Sequence, residues 1–500
     1  MNHVSSVLLI TILACGRQKD EDSAVSPDLL IPVFEMAPAL STLWIGRSSA
    51  VADFDGDGNL DIVGAAEEGY PDGAAQVVAY KGAGDGTFEE VTEAWGLAST
   101  DESWGTLAFD LEGDGDMDLI ITKAASGGEN TLHINDGTGS FTQGEMPDHP
   151  CLWSETHGIA TADLDLDGDL DVVLANGMVN QFGECTDVLL NDGTGVFTNA
   201  DVNAAEYLKQ ACGVALADLD GDMYPDMLLG ELGPNPVIHF NTGTPDIFDF
   251  ADPDENREFD VARSMTIEPF DYDQDGDIDF IISDIEQQAM YRNDGNRNFT
   301  NVTVEAGLTG IDLIMDLRTA DVDSNGYPDI YFAHELHETK LVTLMMNNGD
   351  GTFTDGTVAT GLRGAGVELV HGSSFVDINK DSMLDIVVNR GGLEPGTEGG
   401  IEIYLNRGPV FKNLRVGIGG YAANSEAVGT KVEVVTDLGS RFAWVRRGDH
   451  MGSTSADDLL VGLGEATTIE DVIATYPDGV VVKSGPLQMS DHGQIEIEYP

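Results

Sequence analysis

The chain has 500 residues, 41% of them apolar, and it carries 23 Lys and Arg against 89 Asp and Glu, a formal net charge of −66. This apolar fraction is large enough for a buried core, which excludes a chain disordered by its charge. So acidic a surface repels nucleic acid and anionic membranes and attracts cations, so we expect no nucleic-acid partner.

Residues 1–15 are predicted to be a signal peptide. Its apolar stretch, Val7 to Ala14, is too short to span a bilayer and ends at Cys15. The letters ILAC resemble a bacterial lipobox with Cys15 as the lipidated residue, although no Lys or Arg precedes the apolar stretch. Residues 16–29 would then be a polar tether. We therefore expect an exported protein, either a lipoprotein of the cell envelope that meets the membrane only through its anchor or a secreted protein.

A nine-residue acidic motif recurs along residues 30–411. Its seven copies begin at residues 53, 110, 163, 218, 271, 321 and 377. An apolar segment precedes each copy and a nearly unbroken apolar run follows it, which predicts two strands. A third strand, a Gly-rich turn and a Phe-led fourth strand come next in most copies. Such a period predicts an all-β fold, a seven-bladed β-propeller, rather than a linear β-solenoid, which usually has a shorter repeat.

The closure of the ring is left open by the sequence. Phe34 precedes the first acidic motif much as Phe88 precedes the second, and Phe411 ends the seventh unit. There are thus eight Phe segments for seven motifs. Propellers commonly close with a strand from the other terminus, so either Phe34 or Phe411 is expected to complete the seventh blade.

Each acidic motif has the spacing of a calcium-binding hairpin loop. Positions 1, 3, 5 and 9 supply side-chain oxygens, position 7 supplies its backbone carbonyl, and Gly at position 6 allows the sharp turn. Oxygen ligands favour Ca²⁺ over softer metals. No twelfth position is Glu, as an EF-hand requires. A single copy would fit a solvated acidic turn, whereas seven copies in one register favour up to seven Ca²⁺ ions.

The expected ligand positions are Asp53, Asp55, Asp57, Asn59 and Asp61; Asp110, Glu112, Asp114, Asp116 and Asp118; Asp163, Asp165, Asp167, Asp169 and Asp171; Asp218, Asp220, Asp222, Tyr224 and Asp226; Asp271, Asp273, Asp275, Asp277 and Asp279; Asp321, Asp323, Asn325, Tyr327 and Asp329; and Asp377, Asn379, Asp381, Met383 and Asp385. The loops are not equivalent. The fourth has Met223 at the Gly position, and the seventh has Asn379 at position 3 and Ser382 at position 6. We expect the seventh loop to bind most weakly.

The acidic loops resemble those of the FG-GAP/VCBS repeat family, whose best-known members are the propellers of integrin α chains. The resemblance rests on the loop and its spacing, because the Phe-Gly and Gly-Ala-Pro signatures are largely missing. Residues 412–500 lack the period, and their alternating apolar residues predict a small β domain. This tail resembles the ASPIC/UnbV domain through Gly429, VGLGEAT and YPDG. The layout is similar to the cartilage acidic protein family, which implies an extracellular or surface role without known catalysis.

Three cysteines map to the rim opposite the acidic loops. In an exported protein a disulfide within this trio is expected, between Cys151 and Cys185, which leaves the thiol of Cys212 unexplained. The same rim carries Trp153, His157, His334, His337 and His371, either as a patch for a glycan or peptide or as ordinary loop residues. The RGD at 447–449 either mimics an integrin ligand or occurs by chance.

No Ser-His-Asp pattern, phosphate loop or zinc site stands out in the sequence, and the paired carboxylates are committed to the acidic loops. We therefore predict a non-catalytic binding or adhesion module whose ligand is an extracellular protein or glycan. The alternative is a polysaccharide lyase or hydrolase built on a calcium-stabilised propeller. The small number of Lys and Arg disfavours a site that cleaves polyanions.

Overall fold

The computed structural model describes residues 30–38, 40, 44–69, 77–99, 101–123, 129–147, 155–177, 185–200, 211–231, 237–243, 259, 261, 264, 266–283, 287–334, 341–362, 369–391, 400–448, 454–455, 459–488 and 492–500. The predicted signal peptide with Cys15, the tether and Cys151 lie outside these residues.

In the described ranges, strands β1 to β27 form seven antiparallel sheets around one ring. From the first sheet to the seventh, the strands are β2 (Trp44–Ala52), β3 (Asp61–Gly69), β4 (Val77–Gly82) and β5 (Phe88–Glu90); β6 (Ser103–Phe109), β7 (Asp118–Lys123), β8 (Thr131–Asn135) and β9 (Phe141–Gln143); β10 (Thr156–Ala162), β11 (Asp171–Asn176), β12 (Cys185–Leu190) and β13 (Thr198–Asn199); β14 (Ala211–Ala217), β15 (Asp226–Glu231) and β16 (Val237–His239); β17 (Thr266–Phe270), β18 (Asp279–Ser283), β19 (Gln288–Asn293) and β20 (Phe299–Asn301); β21 (Ile314–Ala320), β22 (Asp329–His334), β23 (Val342–Asn347) and β24 (Phe353–Asp355); and β25 (Leu369–Val376), β26 (Asp385–Gly391) and β27 (Gly400–Asn406) with β1 (Phe34–Met36). A single helical turn, α1 (Thr357–Thr360), follows the sixth sheet. The prediction of an all-β propeller is confirmed.

The N-terminal strand closes the ring. The innermost strands contact one another in cyclic order, and β25 returns to β2. In the seventh sheet, β1 pairs with β27, with Phe34 opposite Asn406. Phe411 instead lies past β27, where its N–H donates to the carbonyl of Asp323. The open choice between the two Phe segments is thus resolved in favour of Phe34.

Apolar residues are shared between neighbouring blades. The second strands β7, β11, β18 and β22 are buried on both faces, as their unbroken apolar runs predict. One cluster joins Val173 of the third blade to Val214 of the fourth, and another joins Phe34 to Tyr331 of the sixth blade. Burial of these faces at about 25 cal/mol per Å² is the main force that holds the blades side by side.

An Asn at the end of the third strand fastens each blade from the second to the seventh onto the blade before it. Its side-chain amide donates to the carbonyl of the second loop residue in the preceding blade, at 2.7 to 3.1 Å. The six pairs are Asn135 with Phe54, Asn191 with Leu111, Asn241 with Leu164, Asn293 with Leu219, Asn347 with Tyr272, and Asn406 with Val322. In the first blade Gly82 occupies this place, so the joint between the seventh and first blades lacks the amide.

Replacing Asn347 by Ala is expected to lower the free energy of unfolding by about 1–3 kcal/mol. The substitution leaves two carbonyls without their donor, those of Tyr272 and Pro328, at 2.9 and 3.0 Å from the amide. Chemical denaturation in saturating Ca²⁺ measures the change. Asn348→Ala is the control, because its amide contacts only the hydroxyls of its own turn at Thr352 and Thr354 among the described bonds. Equal losses in the two variants would contradict the fastening role.

Two further sheets form the C-terminal domain. The first contains β28 (Lys412–Ile418), β33 (Leu459–Gly464) and β36 (His492–Ile497), and the second contains β29 (Lys431–Thr436), β30 (Gly439–Trp444), β34 (Ile469–Thr475) and β35 (Val481–Lys483). Their shared core includes Leu414, Val432, Val472 and Tyr476, all at most 2% exposed. This core accounts for the alternating pattern in the sequence, and the small β domain is confirmed.

The C-terminal domain inserts a segment into the centre of the ring. Strand β31 (Arg447–Gly448) pairs antiparallel with β10, and β32 (Thr454–Ser455) pairs parallel with β2. We call residues 445–448 and 454–455 the plug. Arg447 and Gly448 of the RGD lie in the plug, and Arg447 donates to Glu426. These two residues are therefore held against the propeller rather than presented in a free loop.

Candidate metal centres

The acidic loops are shaped by their own backbone. In the first loop, the N–H groups of Asp57 and Gly58 donate to the two carboxylate oxygens of Asp53, at 3.1 and 2.7 Å. The N–H at position 6 makes the same bond to the position-1 Asp in all six other loops. Position 6 has a positive φ in each loop, from 63° at Ser382 to 96° at Gly168 and Gly276. This conformation is why the motif favours Gly there.

The Asp at position 9 anchors each loop to its blade. Asp226 is fully buried and accepts the N–H of Leu219, at 2.9 Å, and that of Asn241, at 2.8 Å. Equivalent pairs of bonds occur in the first, second, third, fifth and sixth loops. Position 9 is thus a structural hub as well as a candidate ligand.

Within the described residues, five loops bring three carboxylates together, with one oxygen of each within 4.8 Å of the other two. In the first and fourth loops these are positions 1, 3 and 5, and in the third, fifth and sixth loops they are positions 1, 3 and 9. The sets are Asp53, Asp55 and Asp57; Asp218, Asp220 and Asp222; Asp163, Asp165 and Asp171; Asp271, Asp273 and Asp279; and Asp321, Asp323 and Asp329. Among the described residues of the second and seventh loops, no such set is formed.

Several loop carboxylates have a buried oxygen without a hydrogen-bond partner among the described residues. They are Asp55, Glu112, Asp163, Asp169, Asp273, Asp323 and Asp385. A buried polar oxygen costs free energy unless it is paired. A hard divalent cation supplies the missing partner for several such oxygens at once, so these residues fit Ca²⁺.

Burial also disfavours the charged form of these carboxyl groups. It raises the pKa of Asp61 and Asp271 to about 7, that of Asp118 to about 8 and that of Asp279 to about 9. Neighbouring loop carboxylates raise these pKa values further. A bound divalent cation has the opposite effect, because it favours the ionised carboxylate.

Position 7 is predicted to contribute its backbone carbonyl to the metal. The structure shows its N–H donating to the side chain at position 5, as Asn59 does to Asp57 at 2.9 Å and Tyr224 to Asp222 at 3.0 Å. This bond tightens the second half of the loop. The role of the position-7 carbonyls stays a prediction.

Three loops contain a cationic side chain from elsewhere in the chain. Lys81 pairs with Asp55 and with Asp57, and Arg297 pairs with Asp220 at 2.6 Å. In the seventh loop, Arg415 of the C-terminal domain pairs with Asp377. Sequence reasoning missed these cations because they are distant in the chain or in another domain. The third and fifth loops have a three-carboxylate set, and among the described residues no Lys or Arg forms an ion pair with their carboxylates.

Met223 occupies the Gly position of the fourth loop at a strained backbone angle. Its φ is 79° and the residue is 42% exposed. Met223→Gly is expected to raise the free energy of unfolding by about 1 kcal/mol, because the left-handed strain is removed. Chemical denaturation with and without Ca²⁺ tests this. Val196→Gly is the control, because Val196 is exposed and does not have a positive φ, and it is expected to lower the free energy of unfolding. A loss of stability in both variants would show that Met223 is not strained.

Three of the four histidines predicted for the opposite rim lie in the described residues, and these three are buried. His157 stacks on Trp104, with ring centroids 4.1 Å apart, and its Nε2 lies 2.8 Å from Glu155. His334 and His371 are also buried in hydrogen-bonded positions. These three side chains therefore do not form an exposed ligand patch. Trp153 and His337 lie outside the described residues.

The disulfide between Cys151 and Cys185 stays a prediction. Cys151 lies outside the described residues, and the side chain of Cys185 in β12 is likewise not described. Burial raises the pKa of the Cys212 thiol to about 12, which is the behaviour of an inert, structural cysteine.

Among the helices of the described ranges, none has the length and apolarity needed to span a bilayer.

The C-terminal domain covers part of the rim that the acidic loops form. Ser425 donates to Asp110, the Tyr421 hydroxyl lies 3.2 Å from an Asp163 oxygen, and Lys431 donates to the Gly276 carbonyl. The N–H of Gly464 donates to the Ser324 carbonyl at 3.0 Å. The candidate metal loops thus also serve as the docking surface of the second domain.

Family models match two parts of the chain. The FG-GAP-like repeat model matches residues 53–121 and 271–332, and the ASPIC and UnbV model matches residues 420–497. No curated protein matches the chain.

Several solved structures are similar. An Agrocybe aegerita lectin that recognises non-reducing terminal N-acetylglucosamine is 19% identical, with 71% of this chain and 93% of the lectin covered and a TM-score of 0.41. The exotype rhamnogalacturonan lyase YesX is 12% identical, with coverages of 93% and 76% and a TM-score of 0.39. The V. cholerae biofilm matrix protein Bap1 is 12% identical, with coverages of 91% and 62% and a TM-score of 0.33.

The family matches fall on the parts of the chain to which the geometry assigns a propeller with acidic loops and a separate β domain. This protein is therefore a β-propeller with FG-GAP-like repeats at residues 53–121 and 271–332, followed by a β domain that is similar to ASPIC and UnbV over residues 420–497.

Proposed function

We propose that the protein is an exported, calcium-binding propeller that acts as a non-catalytic binding or adhesion module at the cell surface or in the extracellular space. The observation that carries the calcium part is the convergence of three carboxylates in five of the repeated loops, together with buried loop oxygens that have no hydrogen-bond partner among the described residues. Each loop already has its backbone fixed by internal hydrogen bonds, so an ion would enter a preformed site.

The extracellular setting agrees with the affinity expected of such loops. Extracellular calcium modules typically bind with a Kd of roughly 10⁻⁴ to 10⁻³ M, which is too weak for cytosolic Ca²⁺ levels. The lipobox-like ILAC at the N-terminus supports the same setting. Replacing Cys15 by Ala and following the protein between membrane and soluble fractions separates a lipoprotein from a secreted protein.

A binding role is favoured because the described loop carboxylates already have structural duties. Positions 1 and 9 accept backbone N–H groups within their own blades. General acid–base catalysis needs a carboxyl group that can exchange its proton with a substrate. A carboxylate that holds a loop and a cation together does not meet this need.

The test is a ligand screen of the full chain on glycan and extracellular-protein arrays, in 2 mM Ca²⁺ and in EGTA, with each hit then assayed for cleavage. We expect ligands that bind in Ca²⁺ only and are released intact. A hit that is cleaved would favour the lyase or hydrolase alternative. Binding that is as strong in EGTA would contradict the role of calcium.

A further inference from the structure

We propose that a cavity between the inner strands β17, β21 and β25 of the fifth to seventh blades and the C-terminal domain binds one neutral sugar unit. The inference rests on the proposed binding function and names a ligand class and a site for it. The cavity has a volume of about 280 Å³, close to the lower limit of about 300 Å³ for small-molecule sites. The residues that carry the argument are Glu268, Arg318, Thr319, Ser374, Trp444 and Arg446.

The cavity is a break in the packing of the inner strands. Strands β6, β10, β14 and β17 are buried at every residue. In β21 the last three residues, Arg318, Thr319 and Ala320, are instead partly exposed and line the cavity. The space therefore reaches solvent and is not a void sealed within the core.

The polar groups of the cavity provide donors, acceptors and hydroxyls side by side. Glu268 accepts from the Thr319 hydroxyl at 2.8 Å and lies 3.3 Å from Nη2 of Arg446. Ser374 is 4% exposed, and its hydroxyl has no hydrogen-bond partner among the described residues. Carboxylates only accept hydrogen bonds and guanidinium groups only donate them. A ligand that bonds to both groups must therefore donate and accept hydrogen bonds at adjacent atoms. Vicinal hydroxyl groups have this property.

The charges in the cavity argue for a neutral ligand. Arg446 faces Glu268, and Arg318 lies 3.7 Å from Asp316. Arg447, which also lines the cavity, pairs with Glu426, so each guanidinium of the lining has a carboxylate beside it. An anionic ligand would have to compete with these carboxylates, whereas a neutral polyol can join the existing network.

The aromatic side chains of β30 supply an apolar wall. Trp444 and Phe442 both line the cavity, and their ring centroids are 6.4 Å apart. Trp444 is only partly buried, and Lys431 Nζ lies over its ring at 5.2 Å from the centroid, so the ring surface that Lys431 leaves uncovered is available for contact. Sugar rings combine hydroxyl edges with an apolar C–H face, and rigid aromatic rings pack against such faces at low entropic cost.

The experiment titrates the full chain in 2 mM Ca²⁺ with glucose, galactose, mannose, N-acetylglucosamine and glucuronate, followed by ligand-observed NMR and tryptophan fluorescence. Ala320→Leu fills the cavity without removing a polar contact, and Arg318→Gln removes a donor. Arg292→Gln, at a guanidinium on the surface that pairs with Asp294, is the matched control. We expect at least one neutral sugar to bind, with a loss of at least tenfold in A320L and R318Q and no change in R292Q.

The outcomes separate this inference from the proposed function. Sugar binding that survives A320L and R318Q unchanged would overturn the site while leaving the binding function intact. Binding of glucuronate alone would overturn the neutral class. If no sugar binds but an arrayed protein does, the inference fails and the function stands; if nothing binds on either array, both fail. Melting curves of each variant verify folding, and A320L and R318Q each test the site should the other fail to fold.

Discussion

Chelation of Ca²⁺ with EGTA is expected to lower the Tm of the full chain by about 10–15 °C. If free Ca²⁺ stands at ~100 times its Kd, each filled loop adds about 2.7 kcal/mol to the folded state. Five loops have a three-carboxylate set. Their sum is about 13 kcal/mol, and an unfolding entropy of roughly 1 kcal/mol/K for a chain of this size converts it to the stated shift. Scanning calorimetry in 2 mM Ca²⁺ and in EGTA measures the difference.

The control for this prediction must make the same change in charge at positions that are not part of the acidic loops. We therefore compare the position-3 triple variant Asp165→Asn, Asp273→Asn and Asp323→Asn with the turn variant Asp85→Asn, Asp136→Asn and Asp192→Asn. The second set lies in the turns between third and fourth strands, where each Asp bonds a Thr of its own turn. Only the position-3 variant should lose part of the calcium-dependent shift. An unchanged melting curve in EGTA would count against bound calcium altogether.

The repeated features could be predicted from the sequence, because each blade contains the same local pattern. A carboxylate at positions 1 and 9 and the spacing of 50 to 57 residues occur in all seven copies. The local backbone bonds that form the loop depend only on residues within it, as at Asp53 with Gly58. A local pattern with local causes can be interpreted without tertiary information.

Features that depend on distant partners were not predictable in the same way. Closure by Phe34 depends on its register against Asn406, and nothing in either segment specifies the other. The Asn at the end of the third strand recurs in the sequence just before the Gly-rich turn, and this position alone does not show that it bonds to the preceding blade. In the first blade Gly82 stands in place of this Asn. That departure was the sign in the sequence that the Asn has a role between blades.

The plug escaped prediction because its strands are only two residues long. Strand β31 (Arg447–Gly448) pairs with Thr161 and Ala160, and it has no alternation that a period of two could reveal. The pairing depends on the inner edge strands β10 and β2, which are far from the plug in the sequence. The RGD tripeptide stands out in the sequence because it matches an integrin ligand. Its pairing with the propeller is not visible in the sequence.

Gly448→Ala is expected to release the plug and to lower the free energy of unfolding by about 3–5 kcal/mol. Gly448 has φ of +72°, and a Cβ there would lie 2.9 Å from the Cα of Ala160 and 3.0 Å from the carbonyl oxygen of Ile159. Both atoms belong to the backbone of the propeller, so neither can move aside without disturbing β10. We expect calorimetry to show two transitions in place of one, because the C-terminal domain would then unfold apart from the ring.

Gly485→Ala is the matched control, because Gly485 has φ of +71° and no atom within 4 Å of its hypothetical Cβ. It shares the backbone strain, of order 1 kcal/mol, but not the collision. The excess loss in G448A over G485A therefore measures the insertion of the plug. Since Ser425 and Tyr421 contact loop carboxylates, release of the domain should also weaken calcium binding, and by linkage calcium should strengthen docking. Equal losses in the two variants, with a single transition in each, would contradict a plug that joins the domains.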